Sequence, residues 1–473
     1  MPWLGSVPAS RSGPPGVTTA AQELAGFTAA LRFEDIPPTV RESAALRVLD
    51  TLGCALAARG EDFSAPLLGV VRSWGGAGSC TVWGSALSAA PPWAVLANGC
   101  LAHGLDFDDT HAGSVTHASA VLVPVVLALA ESEGLDGRAT LTALVAGYEA
   151  ITRLGLAAPG RFHERGWHAT AVCGAFAAAL AAGKCLGLDA ARLTAAVGIA
   201  ASQASGVLEY LEDGSWVKRL HPGWAAHSGV LAAGLARGGF TGPATGLEGR
   251  FGFYRAALGE APDFGRVMKN LGDSWGTLNI SFKLYPCCHL NHSYIDALLS
   301  LRREPRISAE DIDEIECLVP EGEIPIVCEP AAAKRRPRTS YDAKFSLPFA
   351  MAVALVDDRV GVASFGVDRL NDPRLLALMD RVRYTVDGQS VYPRTFPGWV
   401  KVRTRDGRRL EARQEAQRGG PESPVPAAEI VSKYRGNARL ALPAARVASL
   451  EAAVLGLAET RDLRPLLALS RAD

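Results

Sequence analysis

Paired cysteines are missing from this chain. Its nine cysteines, at positions 54, 80, 100, 173, 185, 287, 288, 317 and 328, are odd in number and nowhere fall as Cys-x-x-Cys. That argues against a disulfide scaffold, a zinc ribbon or a cysteine-held cluster, and it points to a reducing, cytoplasmic setting. An excess of charge is missing too, since the formal net charge is -1. The expected partner is therefore a small molecule, with no nucleic acid and no membrane. The longest apolar stretch, Ala169 to Ala182, is alanine-dominated and too short to span a bilayer. Residues 1–17 are rich in Pro, Gly and Ser and lack the apolar centre of a secretory signal, so they are expected to form a disordered extension. Histidine is absent from the last 181 residues: all nine lie between positions 103 and 292.

What is present is length and helix. At 473 residues with 48% hydrophobic content, the chain exceeds one small core, and two domains are expected. After Pro37-Pro38, residues Ala45, Val48, Leu49, Leu52 and Leu56 fall at helical spacing. Helices are also expected from Pro92, over Ala118 to Glu133 and Leu141 to Leu154, and onward from Ala169 to Ala236, with Ala and Gly where helices pack closely. Past Asn279 alternation takes over in Ile315 to Val319, Val382 to Val386 and Val400 to Thr404, with Asp406-Gly407 as a hairpin turn into Arg408 to Arg413. Ser346 to Leu355 and Pro286 to Leu301 read as helices, and Ala427 to Leu467 as a helical tail. The expected fold is mainly α. A large all-α helical domain is built from both chain ends (18–279 and 416–473), with a smaller α+β lid domain, 280–415, inserted between them.

One stretch is chemically dense. Leu101 to His117 holds Asp106, Asp108, Asp109, His103, His111, His117 and Thr110 within seventeen residues. Buried carboxylates and imidazoles need partners, so this density implies a dedicated polar site. The other histidines form the sets His163 and His168, His221 and His227, and His289 and His292, mostly near Gly, Pro or Trp. Cations add to them: Lys218 and Arg219 lie in a segment flanked by Trp216 and Trp224, and Lys283 precedes Cys287-Cys288-His289 where the helical texture ends. A seam between domains is a common place for a ligand cleft. On residue chemistry alone, a metal-dependent hydrolase using Asp106, Asp108, Asp109, His111 and His117 stays open.

Five stretches in order, Leu105 to His111, Gly214 to Ala226, Leu247 to Phe253, Lys283 to Cys288 and Asp342 to Ser346, resemble the successive motifs of the MmgE/PrpD family. That family includes 2-methylcitrate dehydratase, cis-aconitate decarboxylase and an iminodisuccinate epimerase. The resemblance runs from about residue 20 to the C-terminus. It implies the fold just described, a homodimer, and catalysis with no metal and no organic cofactor. It carries the family's site residues onto Asp106, Thr110, His117, His168, Lys218 and Lys283. Two positions depart from the family pattern: Cys288 stands where decarboxylase-like members have histidine, with His289 one further on, and Phe349 replaces a tyrosine found in many members.

The expected activity is that of a lyase of hydro-lyase type, dehydrating a 2-methylcitrate-like hydroxy acid. Decarboxylation of a cis-aconitate-like acid and epimerisation of an iminodisuccinate-like acid are the alternatives, and a non-catalytic carboxylate-binding protein is a remote one. Charge building up beside a carboxylate calls for preplaced cations, which Lys218 and Lys283 supply. His117 is the leading acid or base and His168 its counterpart. Asp106 orients and balances charge, and Thr110, Arg219, His289, Cys288 and Trp216 are the candidate substrate contacts. Tyr210 and Trp167 also stand near this set. Asp108, Asp109 and His111 are expected to shape the loop.

Overall fold

Proline and short polar residues set where the helices start. Pro38 opens Pro38–Ala58 and Pro91 opens Pro91–His103, at positions where the missing N–H would have no helical partner. The Asp136 carboxylate accepts from the Ala139 amide at 2.8 Å to begin Gly137–Leu156, and Asp189 does the same for Arg192 at the head of Ala190–Ala200. The structure is a computed structural model that describes residues 18–472 apart from 305 and 358. The expected extension 1–17 lies outside the described residues.

The protein is mainly α, and small residues let its central helices approach closely. The helix Val217–Arg237 is wedged between Pro91–His103 and Ala169–Cys185. A Cβ on Gly229 would meet that of Ala178 at 2.3 Å, and one on Gly223 would stand 2.3 Å from the Leu96 carbonyl oxygen. Among the described residues, no helix is long and apolar enough to cross a membrane.

Two hydrophobic cores form. One draws on residues from Ala20 to Ile280 and, from the other end of the chain, on Tyr434 to Leu467. The second runs from Tyr285 to Val402 and includes Ala112. It is built on four strands, β1 (Ile312–Val319), β2 (Val382–Val386), β3 (Gly398–Thr404) and β4 (Arg409–Gln414), in the order β2-β1-β3-β4. The β1/β2 pair is parallel and the others are antiparallel. Gly407, with φ of 88°, makes the β3–β4 turn, and the helix His292–Arg303 packs on the sheet.

Two elements differ from the sequence reading. The helix expected over Pro286 to Leu301 begins only at His292, after one tight turn at His289–Asn291. Lys344 satisfies the preceding segment instead: its carbonyl accepts from the Cys288 amide at 2.9 Å, and its ammonium donates to the Pro286 carbonyl at 3.0 Å. The tail from Ala427 divides into Ala427–Ala438, Ala444–Leu455 and Arg464–Ala468, because Pro443 cannot donate within a continuing helix and Gly456 ends the second.

Gly223→Ala is expected to destabilise the protein by about 1–3 kcal/mol through overpacking, read by urea denaturation. Unchanged stability would mean that the Pro91–His103 and Val217–Arg237 helices are not held at this separation.

Candidate active site

Asp106 is where the site converges. Its backbone is left-handed (φ 52°), a conformation that non-glycine residues rarely hold. Lys218 donates to one oxygen of its buried carboxylate. Lys283 donates to the other at 2.9 Å and to the Asp106 carbonyl at 3.0 Å. Two ammoniums at 5% and 0% exposure thus share one carboxylate at 1%. Burial opposes ionisation of Asp106, but Lys218 and Lys283 outweigh it and hold the carboxyl well below its usual range. Burial likewise works against the charge on Lys218, and Asp106 lifts that ammonium well above its usual value.

The local fold brings these groups together. Thr110–His111 pairs antiparallel with Ile280–Ser281, which places Asp106 and Lys283 at neighbouring ends of one short ladder. Arg47, from the helix Pro38–Ala58, braces both strands by donating to Asp109 at 3.1 Å and to the Ile280 carbonyl. Lys218 is the second residue of Val217–Arg237.

Three imidazoles line the other wall. One ring nitrogen from each of His103, His117 and His168 lies within 4.8 Å of one from each of the others. His117 Nδ1 stands 2.9 Å from the Asp109 carbonyl, which can only accept, so Nδ1 carries the hydrogen and Nε2 keeps its lone pair. Thr110 Oγ1 is 3.2 Å from the same Nδ1, which leaves its O–H free to donate elsewhere. His103 donates through Nδ1 to Asp108 at 2.8 Å, while its buried Nε2 has no partner. His168 shares a 3.0 Å hydrogen bond with His221 between their Nδ1 atoms.

At neutral pH the environment favours the uncharged form of each of these rings. Burial, followed by the Lys218 charge, pushes His103 well below the usual imidazole value. Burial and Lys283 outweigh Asp108 at His117, and burial followed by His221 acts on His168. His221 and His163 are brought down to about 4, chiefly by burial. His117 and His168 are the N-caps of Ala118–Glu133 and Ala169–Cys185, so two helices aim their positive ends at the site along with the first turn of Val217–Arg237.

The second core contributes from the opposite side. His289 is buried with both ring nitrogens unpartnered. Burial, followed by His292, Lys283 and His117, depresses its basicity, and its ring packs on His292 at 4.6 Å. The Cys288 thiol, raised by burial to about 11, responds next to Asp106 and Lys283. Phe349 lies in the second core, its ring 5.6 Å from that of Phe365.

Asp106, Thr110, His117, His168, Lys218, Lys283, Cys288 and His289 are thus brought to one place, and two candidates are not. Trp216 is 41% exposed and lines an outer groove with Pro66 and Leu67. Arg219 turns away to Asp62 at 2.9 Å, clamped between the rings of Phe63 and Tyr341. Asp109 and His111, by contrast, are tied to Arg47 and Ser114. The five-residue metal set therefore does not converge, and among the described residues only His103, His117 and His168 form a group able to hold an ion. An ion there would face the charge of Lys218, which already acts on all three rings.

The sequence singled out His103 and His221 among the histidine sets without giving either a role, and it passed over Arg47 and Tyr341. The Tyr341 hydroxyl is buried and unpartnered, and Lys218 and Asp106 both act on it. Its position next to Asp342 in a family motif was the available signal. Arg47 gave none, lying mid-helix 62 residues from Asp109.

Such a set of groups suits holding a carboxylate against two ammoniums while imidazoles move a proton. The model of the MmgE/PrpD N-terminal domain matches residues 22–264, and that of the C-terminal domain matches residues 285–458. The chain belongs to the MmgE/PrpD family. It is 30% identical to a cis-aconitate decarboxylase of Aspergillus terreus over 96% of each chain. It is also 30% identical to a cis-aconitate decarboxylase-like protein of Aspergillus oryzae, over 97% of this chain and 98% of the other. Identity to the cis-aconitate decarboxylase of Homo sapiens is 28%, over 83% and 82%.

Asp106→Asn is expected to lower stability by about 3–5 kcal/mol at pH 7, since it leaves two buried ammoniums without a counter-charge. Because the folded carboxyl is depressed, its contribution is complete above the unfolded value of about 3.9 and fades as pH falls from there towards the folded value. The gap between wild type and variant in urea denaturation should therefore be widest at neutral pH. A gap that grew in acid would contradict the pairing.

Proposed function

We propose that this MmgE/PrpD lyase decarboxylates a cis-aconitate-like tricarboxylate, a reading carried by the full-length similarity to cis-aconitate decarboxylases. The sequence departures that favour dehydration lose weight in the fold. Position 349 belongs to the second core, and His289 stands beside Cys288 with both nitrogens unpartnered.

The chemistry needs no group beyond these side chains. The bond to one carboxylate breaks and its electron pair forms a new terminal methylene double bond. The original double-bond pair moves to the carbon beside a retained carboxylate. Lys218 and Lys283 stabilise the charge that develops there. Thr110 donates a hydrogen bond to a carboxylate. An imidazole, His117 first with His168 as its counterpart, protonates the carbon as carbon dioxide departs. In the free site the rings are neutral. A ligand bearing three carboxylates raises their basicity and draws in the proton that the last step delivers.

Dehydration of a 2-methylcitrate-like acid uses the same groups, with one imidazole taking the proton from the carbon beside a carboxylate and another protonating the leaving hydroxyl as the new double bond forms. Cys288, in place of the histidine of decarboxylase-like members, is the feature that favours it. We further infer that the α+β part closes over the helical part as a lid, and that the protein is a homodimer, as the family resemblance implies. Val217, Leu220, Trp224 and Leu231 give the helix Val217–Arg237 an exposed apolar face suited to such contact.

Proton NMR of cis-aconitate, 2-methylcitrate, citrate and iminodisuccinate incubated with the enzyme in deuterated water separates the outcomes. Loss of carbon dioxide from cis-aconitate with one deuterium gained at carbon is expected. Dehydration of 2-methylcitrate with no decarboxylation would overturn the reading. His117→Ala is expected to reduce turnover about 100-fold or more, and near-wild-type turnover would remove His117 from the acid–base role. Trp224→Glu with Leu231→Glu should shift the sedimenting species from dimer to monomer. A wild type that sediments as monomer refutes the dimer.

A further inference from the structure

A cleft of about 1460 Å³ lies along the seam between the two cores. Cations dominate its polar lining, seven arginines and Lys433 against the two carboxylates Asp357 and Glu429. The acceptors are already engaged, Asp357 by Arg369 at 2.7 Å and Glu429 by Arg418 at 2.8 Å. Arg303, Arg306 and Arg359 also line the cleft, and no carboxylate among the described residues pairs with them. Asn437, only 5% exposed, presents a side-chain N–H group with no acceptor. In a chain whose net charge is -1, this local surplus of donors calls for a ligand that only accepts.

Size and floor narrow the class. The volume exceeds what an inorganic anion fills, and the floor is apolar, with Phe107, Leu284 and Leu299. Guanidinium forks match phosphate oxygens in pairs, which a point charge does not. Phe107 follows Asp106 and Leu284 follows Lys283, so the floor is continuous with the two chain segments that hold the catalytic ion pair. Lys433 strengthens the link: it donates to the Phe107 carbonyl at 2.7 Å and lies 3.9 Å from the Phe107 ring centroid.

We propose that this cleft binds a phosphorylated metabolite of nucleotide size, with phosphates on Arg303, Arg306 and Arg359 and an apolar body on Phe107 and Leu284, and that occupancy stiffens the segment carrying Asp106. The inference does not depend on which reaction the neighbouring site performs.

Calorimetry with ATP and with tripolyphosphate, both without magnesium, tests the site on the full chain and requires no turnover. ATP is expected to bind more tightly than tripolyphosphate, and both to weaken as salt rises. The triple variant R303A/R306A/R359A, altered only at exposed positions, should lose about tenfold or more in ATP affinity. Amide hydrogen exchange around Phe107 should slow when ATP saturates. No ATP binding at low salt, or equal binding by the triple variant, would overturn the site. Exchange unchanged at saturation would overturn the coupling.

Discussion

One carboxylate held between two buried ammoniums governs this molecule. Lys218 and Lys283 come from opposite parts of the chain, one at the head of a central helix and the other at the threshold of the second core, and both end on Asp106. Asp106 is the counter-charge on which both buried ammoniums end. The left-handed backbone at Asp106, the short ladder from Thr110 to Ser281 and the Arg47 brace all serve to keep the pair in register. Around them stand three helix heads, neutral rings and a second buried carboxylate, Asp108, that accepts from His103.

Burial of the site has a dynamic consequence. The first core supplies His103, His117, His168 and Lys218, and the segment at the edge of the second supplies Cys288, His289 and Tyr341. Under the proposed lid reading, a substrate would reach the imidazoles by separation at this seam, and reclosure would exclude water from the proton transfer. The Lys344 tie to Pro286 and Cys288 keeps the loop bearing His289 attached to the second core during such movement.

Much of this was legible in the residues. Ala118–Glu133 follows from its continuous apolar run, which is buried almost throughout and ends at the left-handed Gly134, and Val382–Val386 follows from its alternation. The density of Leu101 to His117 marked the site, since so many polar groups cannot be buried unpartnered. Pairings across the fold were not legible. The bond between His168 and His221 depends on how two helices cross, which Ala178 and Gly229 determine by contact. The clamp of Arg219 between Phe63 and Tyr341 likewise joins segments far apart in the chain, and no spacing rule contains it.

The most direct test of charge balance in the site is proton uptake on ligand binding. Calorimetric titration of an unreactive tricarboxylate at pH 7, in buffers of different ionisation enthalpy, reads the number of protons taken up. Neutral imidazoles facing an incoming trianion should take up roughly one proton or more from the buffer. Binding with no proton uptake would contradict the neutral rings and with them the proposed source of the catalytic proton.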